Sequence, residues 1–198
     1  MRSLSRLGLP VLPALAVLAL LPASALGQDA PVRFDTASRT RGLGGAWGHS
    51  WRLFGVGRTR TDSSFVAFHP QMGWFVTDRF EMYGEGTLLV YTEPEHAVAG
   101  GLAGLAGRLH LWNDRGWTPY VTLGGGILWT SLDTREIDRR FNFQILYGLG
   151  VRLLPRRGPG WIIEMRTPHI SNAGIYEDNA GTELLVLTYG GPFTQAPR

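Results

Sequence analysis

The sequence has 198 residues and contains neither cysteine nor lysine. Without cysteine the chain can form no disulfide framework and has no thiol chemistry, so packing, a closed hydrogen-bond network or a bilayer must stabilise it. Every cationic side chain is therefore an arginine, whose planar guanidinium suits phosphate and carboxylate groups. After the first 27 residues, no apolar stretch is long enough for a transmembrane helix.

The N-terminal segment 1–27 has the pattern of a cleaved secretory signal peptide. Two arginines precede an apolar run over residues 7–21, and small residues follow, so we expect cleavage after Ala25 or Gly27. An uncleaved membrane anchor is the weaker alternative, because the run contains two prolines and is short for a span. Cleavage leaves 17 arginines against 16 acidic residues, a net charge of +1, so the high pI does not indicate nucleic acid as a partner.

Alternation with a period of two residues recurs along the rest of the chain. In "FNFQILYGLGVRLL", residues 141–154, the odd positions are all apolar or aromatic, while the even positions are mostly polar or small. The same division occurs in 80–92, 118–131 and 161–171. Such a pattern predicts β-strands with one apolar face and one polar face.

We predict eight strands, at residues 46–58, 64–76, 80–92, 97–112, 117–131, 140–154, 160–172 and 182–190. Most are longer than strands of soluble proteins and match a tilted strand that crosses a membrane. The fold class is therefore all-β, an eight-stranded antiparallel transmembrane β-barrel of outer-membrane type. A soluble lipocalin-like barrel is the alternative, but one face carries more acids and arginines than an apolar ligand cavity would accept.

The predicted organisation is a signal peptide (1–27), an N-terminal segment (28–45), the barrel (46–190) and a C-terminal tail (191–198). Short, turn-rich links alternate with longer or more charged ones, as periplasmic turns and external loops do; the short link near 59–63 is the exception. With a periplasmic N-terminus, the loop between the seventh and eighth strands faces the cell exterior, which places 169–183 at the level of the outer leaflet.

The stretch "HISNAGIYEDNAGTE" contains the side chains of an acyl-transfer site. His169 and Ser171 share parity with the apolar residues of their strand, and Glu183 shares parity with the apolar residues of the next, so all three are expected to face lipid. A histidine can take the proton of a serine nucleophile while a carboxylate fixes its tautomer. The Gly174 N–H and the Asn179 side chain are candidates for stabilising an oxyanion. A purely structural loop is the alternative.

This stretch closely resembles the C-terminal motif of the lipid A 3-O-deacylase (PagL) family of outer-membrane barrels. The family motif begins H-x-S-N and places a glutamate fourteen residues after the histidine, which implies that His169, Ser171 and Glu183 are catalytic. Asn172 matches the asparagine of the motif, and Gly174 and Asn179 fall at the proposed oxyanion positions. The sequence departs from the family where it continues past the last predicted strand as "GGPFTQAPR" instead of ending on an aromatic residue.

The resemblance implies a bacterial outer-membrane esterase that releases the 3-O-linked hydroxyacyl chain from lipid A of lipopolysaccharide in the outer leaflet. It implies no cofactor, and no second ligand stands at metal spacing from any histidine, so we predict no metal site. Arg135, Arg139 and Arg140 are candidate contacts for lipid A phosphates, although a rim of arginines without specificity is an equal alternative. A homodimer is left open. The rival functions are a non-enzymatic barrel and the same chemistry on phospholipid or on another acyl position.

Overall fold

Side chains alternate between two environments in every strand of the structure. The computed structural model describes residues 34, 36, 38–50, 61–112, 116–134, 136–137, 140–154, 160–175 and 181–196. These residues form eight strands: β1 (Arg39–Ser50), β2 (Ser64–Phe75), β3 (Phe80–Glu93), β4 (Ala97–His110), β5 (Trp117–Thr130), β6 (Phe141–Leu153), β7 (Gly160–Ser171) and β8 (Thr182–Ala196).

The eight strands form one closed antiparallel barrel in chain order. Each strand pairs with its neighbours in the sequence, and β1 pairs with β8 to complete the ring. Closure leaves no unpaired strand edge, which is what a sheet surrounded by lipid requires, because lipid offers no hydrogen-bonding partner. None of the described residues forms a helix that could cross a bilayer.

The outer wall is apolar and the interior is polar. Large apolar side chains project outward from all around the barrel; Leu105 and Leu123, for example, are 72% and 65% exposed. The inward positions of the same strands include Arg108, Thr122 and Glu164, all buried. A soluble barrel with an internal ligand cavity would have the opposite arrangement. The predicted transmembrane barrel of outer-membrane type is therefore confirmed.

The interior has two layers. Towards the end that carries the chain termini it holds three glutamates and three arginines in a mutually paired network, Glu81, Glu85, Glu164, Arg108, Arg152 and Arg166. Towards the other end, here called the loop end, it holds an apolar cluster that includes Phe65, Tyr91, Leu128, Ile170 and Leu184. The described part of the lumen is thus packed with side chains.

Connections at the loop end are tied together. Glu136, in the link between β5 and β6, accepts hydrogen bonds from the Thr61 N–H at 3.1 Å and the Thr61 hydroxyl at 2.8 Å. The Asp133 N–H donates to Glu95 Oε1 at 3.3 Å, which joins the same link to the one between β3 and β4. Leu132 and Ile137 from this link belong to the apolar cluster below. These contacts join three of the connections next to the apolar cluster.

Two predicted strand boundaries differ from the structure. β1 begins at Arg39 instead of residue 46, and it is described as far as Ser50; residues 51–60, on which the predicted end of this strand falls, lie outside the described residues. β8 continues to Ala196, which makes most of the predicted tail part of the barrel. Both errors fall where glycine carries no side chain to show the alternation. The predicted signal peptide lies outside the described residues.

Candidate active site

Strand β7 presents two different faces, and the predicted catalytic residues lie on the outer one. Ile162, Glu164 and Arg166 point inward and are buried, whereas Met165, between them, is 46% exposed on the outer wall. His169 and Ser171 lie four and six residues after Met165, so they share its face, and both are partly exposed. The sequence places an imidazole and a hydroxyl on the face of β7 that also carries Met165.

The pairing of β7 with its neighbours brings the three predicted catalytic positions together. His169 is the cross-strand partner of Glu183 on β8. Directly paired positions lie on the same face of an antiparallel sheet, with Cβ atoms about 4.5–5.5 Å apart. On the other side, His169 pairs with Ile145 and Ser171 pairs with Phe143 of β6. The histidine therefore stands between a carboxylate position and the serine, on a wall flanked by apolar residues.

A tight turn begins directly after Ser171. Asn172 is 4% exposed, its Oδ1 accepts a hydrogen bond from the Gly174 N–H at 2.9 Å, and its main-chain oxygen accepts one from the Ile175 N–H at 3.1 Å. Ala173 and Gly174 have φ values of 54° and 77°. Such an Asx turn reverses the chain within three residues. The predicted oxyanion donor Gly174 is here bonded to Asn172, and Asn179 lies outside the described residues.

Gly181 is a site residue that the sequence did not reveal. It has a φ of 68°, and a Cβ built on it would lie 2.9 Å from His169 Cε1 and 3.2 Å from Nε2. The imidazole thus rests against the backbone just before β8, in space that only glycine leaves open. The sequence "AGTE" indicates a turn glycine at this place, but not that it borders the ring of the predicted catalytic histidine.

The hairpin is backed by the apolar cluster of the lumen. Ile170 lies between His169 and Ser171 in sequence and points inward, 2% exposed. Leu184 follows Glu183 and is 1% exposed in the same cluster. Close packing on the inner face restricts the motion of both strands, so the outward-facing positions of the site are held by a rigid layer.

The family profile "Lipid A 3-O-deacylase (PagL)" matches residues 40–192, which is most of the chain. The chain belongs to this family. The match includes every predicted catalytic residue and all eight strands apart from a few terminal residues. The predictions of the family, of an outer-membrane barrel and of an ester hydrolase are therefore confirmed.

Solved structures agree on the architecture of the lipid A 3-O-deacylase family. The chain is similar to the outer membrane enzyme PagL, with a TM-score of 0.59 and 21% identity over 76% of this chain and 99% of that one. It is also similar to Neisserial surface protein A (NspA), with a TM-score of 0.58 and 10% identity over 77% and 94% of the two chains. No curated protein matches the chain. An enzyme and a surface protein share this barrel, so the fold alone does not decide the activity.

Of the three arginines predicted to contact phosphates, the structure of this family member describes Arg140. It immediately precedes β6, the strand that pairs with β7, and its side chain is exposed. Arg135 and Arg139 lie outside the described residues. Among the residues that the structure describes, no three histidine, aspartate or glutamate side chains form a group that could hold a metal ion.

Gly181→Ala is expected to lower kcat of the family member by about tenfold or more while the barrel still forms. The added methyl group would push the His169 ring away, and misplacement of a catalytic group by about 1 Å can reduce the rate a hundredfold. The measurement is ester hydrolysis by the purified variant in detergent micelles. Gly45→Ala is the matched control, because a Cβ there meets nothing within 4 Å. Equal activity of the two variants would contradict the contact.

Proposed function

We propose that this chain removes the 3-O-linked hydroxyacyl chain from lipid A by nucleophilic catalysis with Ser171, His169 and Glu183. The proposal rests on one observation above all: His169 and Glu183 are paired across β7 and β8 on the outer wall, with Ser171 two positions along the same face. Membership of the lipid A 3-O-deacylase family supports the substrate and the bond that is cleaved.

The reaction proceeds in two steps. Ser171 Oγ attacks the ester carbonyl while His169 takes its proton, and Glu183 orients the ring and stabilises the imidazolium. The tetrahedral intermediate collapses, the carbon–oxygen bond to the sugar breaks, and His169 returns the proton to the departing sugar 3-oxygen. A water molecule then attacks the acyl-serine with His169 again as base, and the hydroxy fatty acid and free Ser171 are released.

The outer wall gives the ester access to these groups without leaving the membrane. Ile145 and Met165, which flank the site, are 54% and 46% exposed and face the acyl-chain region. An acyl chain can lie along this wall while its ester reaches the level of His169 and Ser171. The site therefore suits a substrate that is itself a component of the leaflet, and a soluble ester would lack the apolar contacts that position it.

Two roles are proposed for the turn after the nucleophile. Asn172, Gly174 and Asn179 are assigned to substrate positioning and to stabilising the oxyanion. The Gly174 N–H donates to Asn172 Oδ1, so Asn172 also holds the turn in shape. Arg135, Arg139 and Arg140 are assigned to the lipid A phosphates.

Two replacements of Asn172 distinguish its role in holding the turn from its role in stabilising the oxyanion. Asn172→Ala removes the acceptor of the Gly174 N–H and is expected to reduce kcat by about 10²-fold, the usual effect of losing an oxyanion-hole group. Asn172→Asp keeps the Oδ1 acceptor but loses the amide donor. If the turn geometry is what matters, the aspartate variant keeps most of the activity; if the amide stabilises the oxyanion, it is as impaired as the alanine variant. Wild-type rates in both variants would contradict both roles.

The proposed activity is tested by mass spectrometry of lipid A from a bacterium that lacks 3-O-deacylation. Expression of the wild type is expected to shift lipid A by the mass of one hydroxyacyl chain at the 3-position, and Ser171→Ala is expected to leave it unchanged. Loss of a different chain would assign the same chemistry to another position. Unchanged lipid A together with cleaved phospholipid would assign a different substrate, and no cleavage by a folded wild type would support a non-enzymatic barrel.

The homodimer is a separate hypothesis. Its test is chemical cross-linking in outer-membrane vesicles, where a dimer gives a band of twice the monomer mass whose yield does not depend on the level of expression. Catalysis as proposed needs residues of one chain only.

A further inference from the structure

A second group of polar side chains lies on the outer wall at the loop end, on strands β1 to β3. His49 Nδ1 is 2.8 Å from Ser64 Oγ, and the Ser64 hydroxyl donates to Glu93 Oε2 at 2.7 Å. Trp47, on the same face of β1, stacks on the His49 ring with centroids 6.2 Å apart and an interplanar angle of 5°. Polar side chains on a lipid-facing wall are rare without a function.

A β-bulge places Glu93 in this group. By the alternation of β3 it would point inward with Leu89 and Tyr91, both of which are buried. The register between β2 and β3 shifts at Ser64, so that Ser64 pairs with Glu93 while the next residue pairs with Tyr91. Glu93 is consequently exposed. Bulges commonly redirect a side chain beside a functional site.

The protons of this group are fixed by its partners. The Ser64 hydroxyl has one proton, which it donates to the Glu93 carboxylate, so the hydrogen in the His49–Ser64 contact must come from His49 Nδ1. In the neutral ring, Nε2 is then an acceptor, and the second oxygen of Glu93 is an acceptor as well. Ser64 is no nucleophile in this arrangement, because the histidine donates to it instead of taking its proton.

The group adjoins the proposed active site across the seam that closes the barrel. His49 pairs with Leu185 on β8, and Leu185 lies two residues from Glu183 on the same strand. Diagonal positions of this kind are about 7–8 Å apart between Cα atoms. Polar positions therefore occur on neighbouring strands of the outer wall at the loop end: Ser171 and His169 on β7, Glu183 on β8, His49 on β1 and Glu93 on β3.

We infer that His49 and Glu93, held by Ser64 and flanked by Trp47, form a subsite for the sugar of the acylated substrate. Two acceptors beside an aromatic face match the hydroxyl and amide N–H donors of an amino sugar. The negative charge of Glu93 disfavours phosphate, whereas the exposed Arg140 lies beyond β7 on the opposite side of the catalytic positions. The subsite thus orients the sugar with its donors towards β1 and its phosphate towards β6. This inference rests on the proposed function.

The test compares two substrates in the same detergent micelles: a 3-O-acylated glucosamine lipid and a p-nitrophenyl ester of the same fatty acid, which has no sugar. The variants are Glu93→Gln, which removes the charge, and His49→Asn, whose shorter amide can still donate to Ser64 but places no acceptor at the position of His49 Nε2. The measured quantity is kcat/KM for the sugar lipid divided by kcat/KM for the simple ester. Each variant is expected to lower this ratio by about tenfold, the usual effect of losing a hydrogen bond to a charged or polar partner.

Asp78→Asn is the matched control, because Asp78 is an exposed acid in the turn between β2 and β3 at the opposite end of the barrel. Its ratio is expected to equal that of the wild type. Heat-dependent mobility in SDS gels checks that each variant is folded. An unchanged ratio in folded Glu93→Gln and His49→Asn would overturn the subsite alone, whereas a wild type inactive on the sugar lipid would overturn the proposed function itself.

Discussion

Ser171→Ala is expected to lower kcat by at least about a thousandfold, and the double variant Ser171→Ala/His169→Ala is expected to be no slower than either single variant. In a nucleophilic unit the histidine has no proton to take once the serine hydroxyl is absent, so the two losses do not add. The residual rate would come from substrate positioning and from oxyanion stabilisation. Each factor of ten in kcat corresponds to about 1.4 kcal/mol of activation free energy.

Glu183→Gln is expected to be impaired as well, but less than the serine variant. The amide cannot stabilise the imidazolium, and its donor group can select the wrong tautomer of His169. Glu183 is the cross-strand partner of His169, so the substitution lies next to the ring. It is two strands away from Phe143, the cross-strand partner of Ser171. Its effect should therefore appear in kcat, with little change in substrate binding.

Ser131→Ala provides the matched control for these kinetics. Ser131 also lies at the loop end, where its Oγ accepts a hydrogen bond from the Val98 N–H at 2.9 Å, but it is remote from β7 and β8 in the ring of strands. Its activity should be close to that of the wild type. Losses that multiply in the double variant, or an active Ser171→Ala enzyme, would show that Ser171 and His169 do not act as one unit.

The barrel was predictable because lipid enforces a strict alternation. In β6 the outward positions are large and apolar and the inward ones include Asn142, Gln144 and Arg152, so the strand is evident from its residues alone. In β1 the segment "RTRGLGGAWGHS" has glycine at four of twelve positions, which hides the period. Gly48 still points inward, where it makes room for the ring of Phe65. Only the paired strand shows why glycine is needed there.

The hairpin of the proposed active site was predictable for a related reason. His169 and Glu183 lie on consecutive strands that one loop joins. Their parity with the apolar residues of each strand predicts that both face outward, and the register of β7 and β8 makes them cross-strand partners. The sugar subsite was not predictable. His49, Ser64 and Glu93 come from three strands, and a bulge reverses the direction expected for Glu93. A β-bulge of this kind produces no periodic pattern in the sequence from which it could be predicted.

The pairing within the interior ionic network was also not predictable from the sequence. The parity of Arg108 and Glu164 predicts that both point inward, and both are buried. Their contact joins β4 to β7, which are not neighbours in the barrel, across the lumen. Which arginine meets which glutamate depends on the barrel diameter and on strand stagger, and these are properties of the closed ring.

Arg108→Met is expected to destabilise the barrel by about 3–5 kcal/mol, the usual effect of leaving a buried charge without its partner. Arg108 is fully buried; its Nη2 donates to Gln71 Oε1 at 2.9 Å, and its Nε donates to Glu164 Oε2 at 3.3 Å. Its guanidinium carbon lies 3.8 Å from the centre of the Tyr83 ring. Methionine fills part of the volume but leaves three buried glutamates with two arginines.

A second substitution distinguishes the loss of charge balance from the loss of packing. Arg108→Met/Glu164→Gln removes one charge of each sign, so it is expected to recover a large part of the stability that the single variant loses. The measurement is urea unfolding in lipid vesicles, followed by tryptophan fluorescence. Arg79→Met, at a half-exposed position in a turn, should unfold like the wild type. A double variant less stable than Arg108→Met would contradict the electrostatic explanation.

Arg108→Met should also impair catalysis, because β7 contributes residues to the ionic network and to the proposed active site. Its inward residues Glu164 and Arg166 belong to the ionic network, and its outward residues His169 and Ser171 belong to the proposed active site. A slip of one residue in the pairing of β7 would exchange the two faces and turn His169 into the lumen. The buried charges of β7 can pair with the network in only one register, so they oppose that slip. Activity lost in Arg108→Met should therefore return with stability in the double variant.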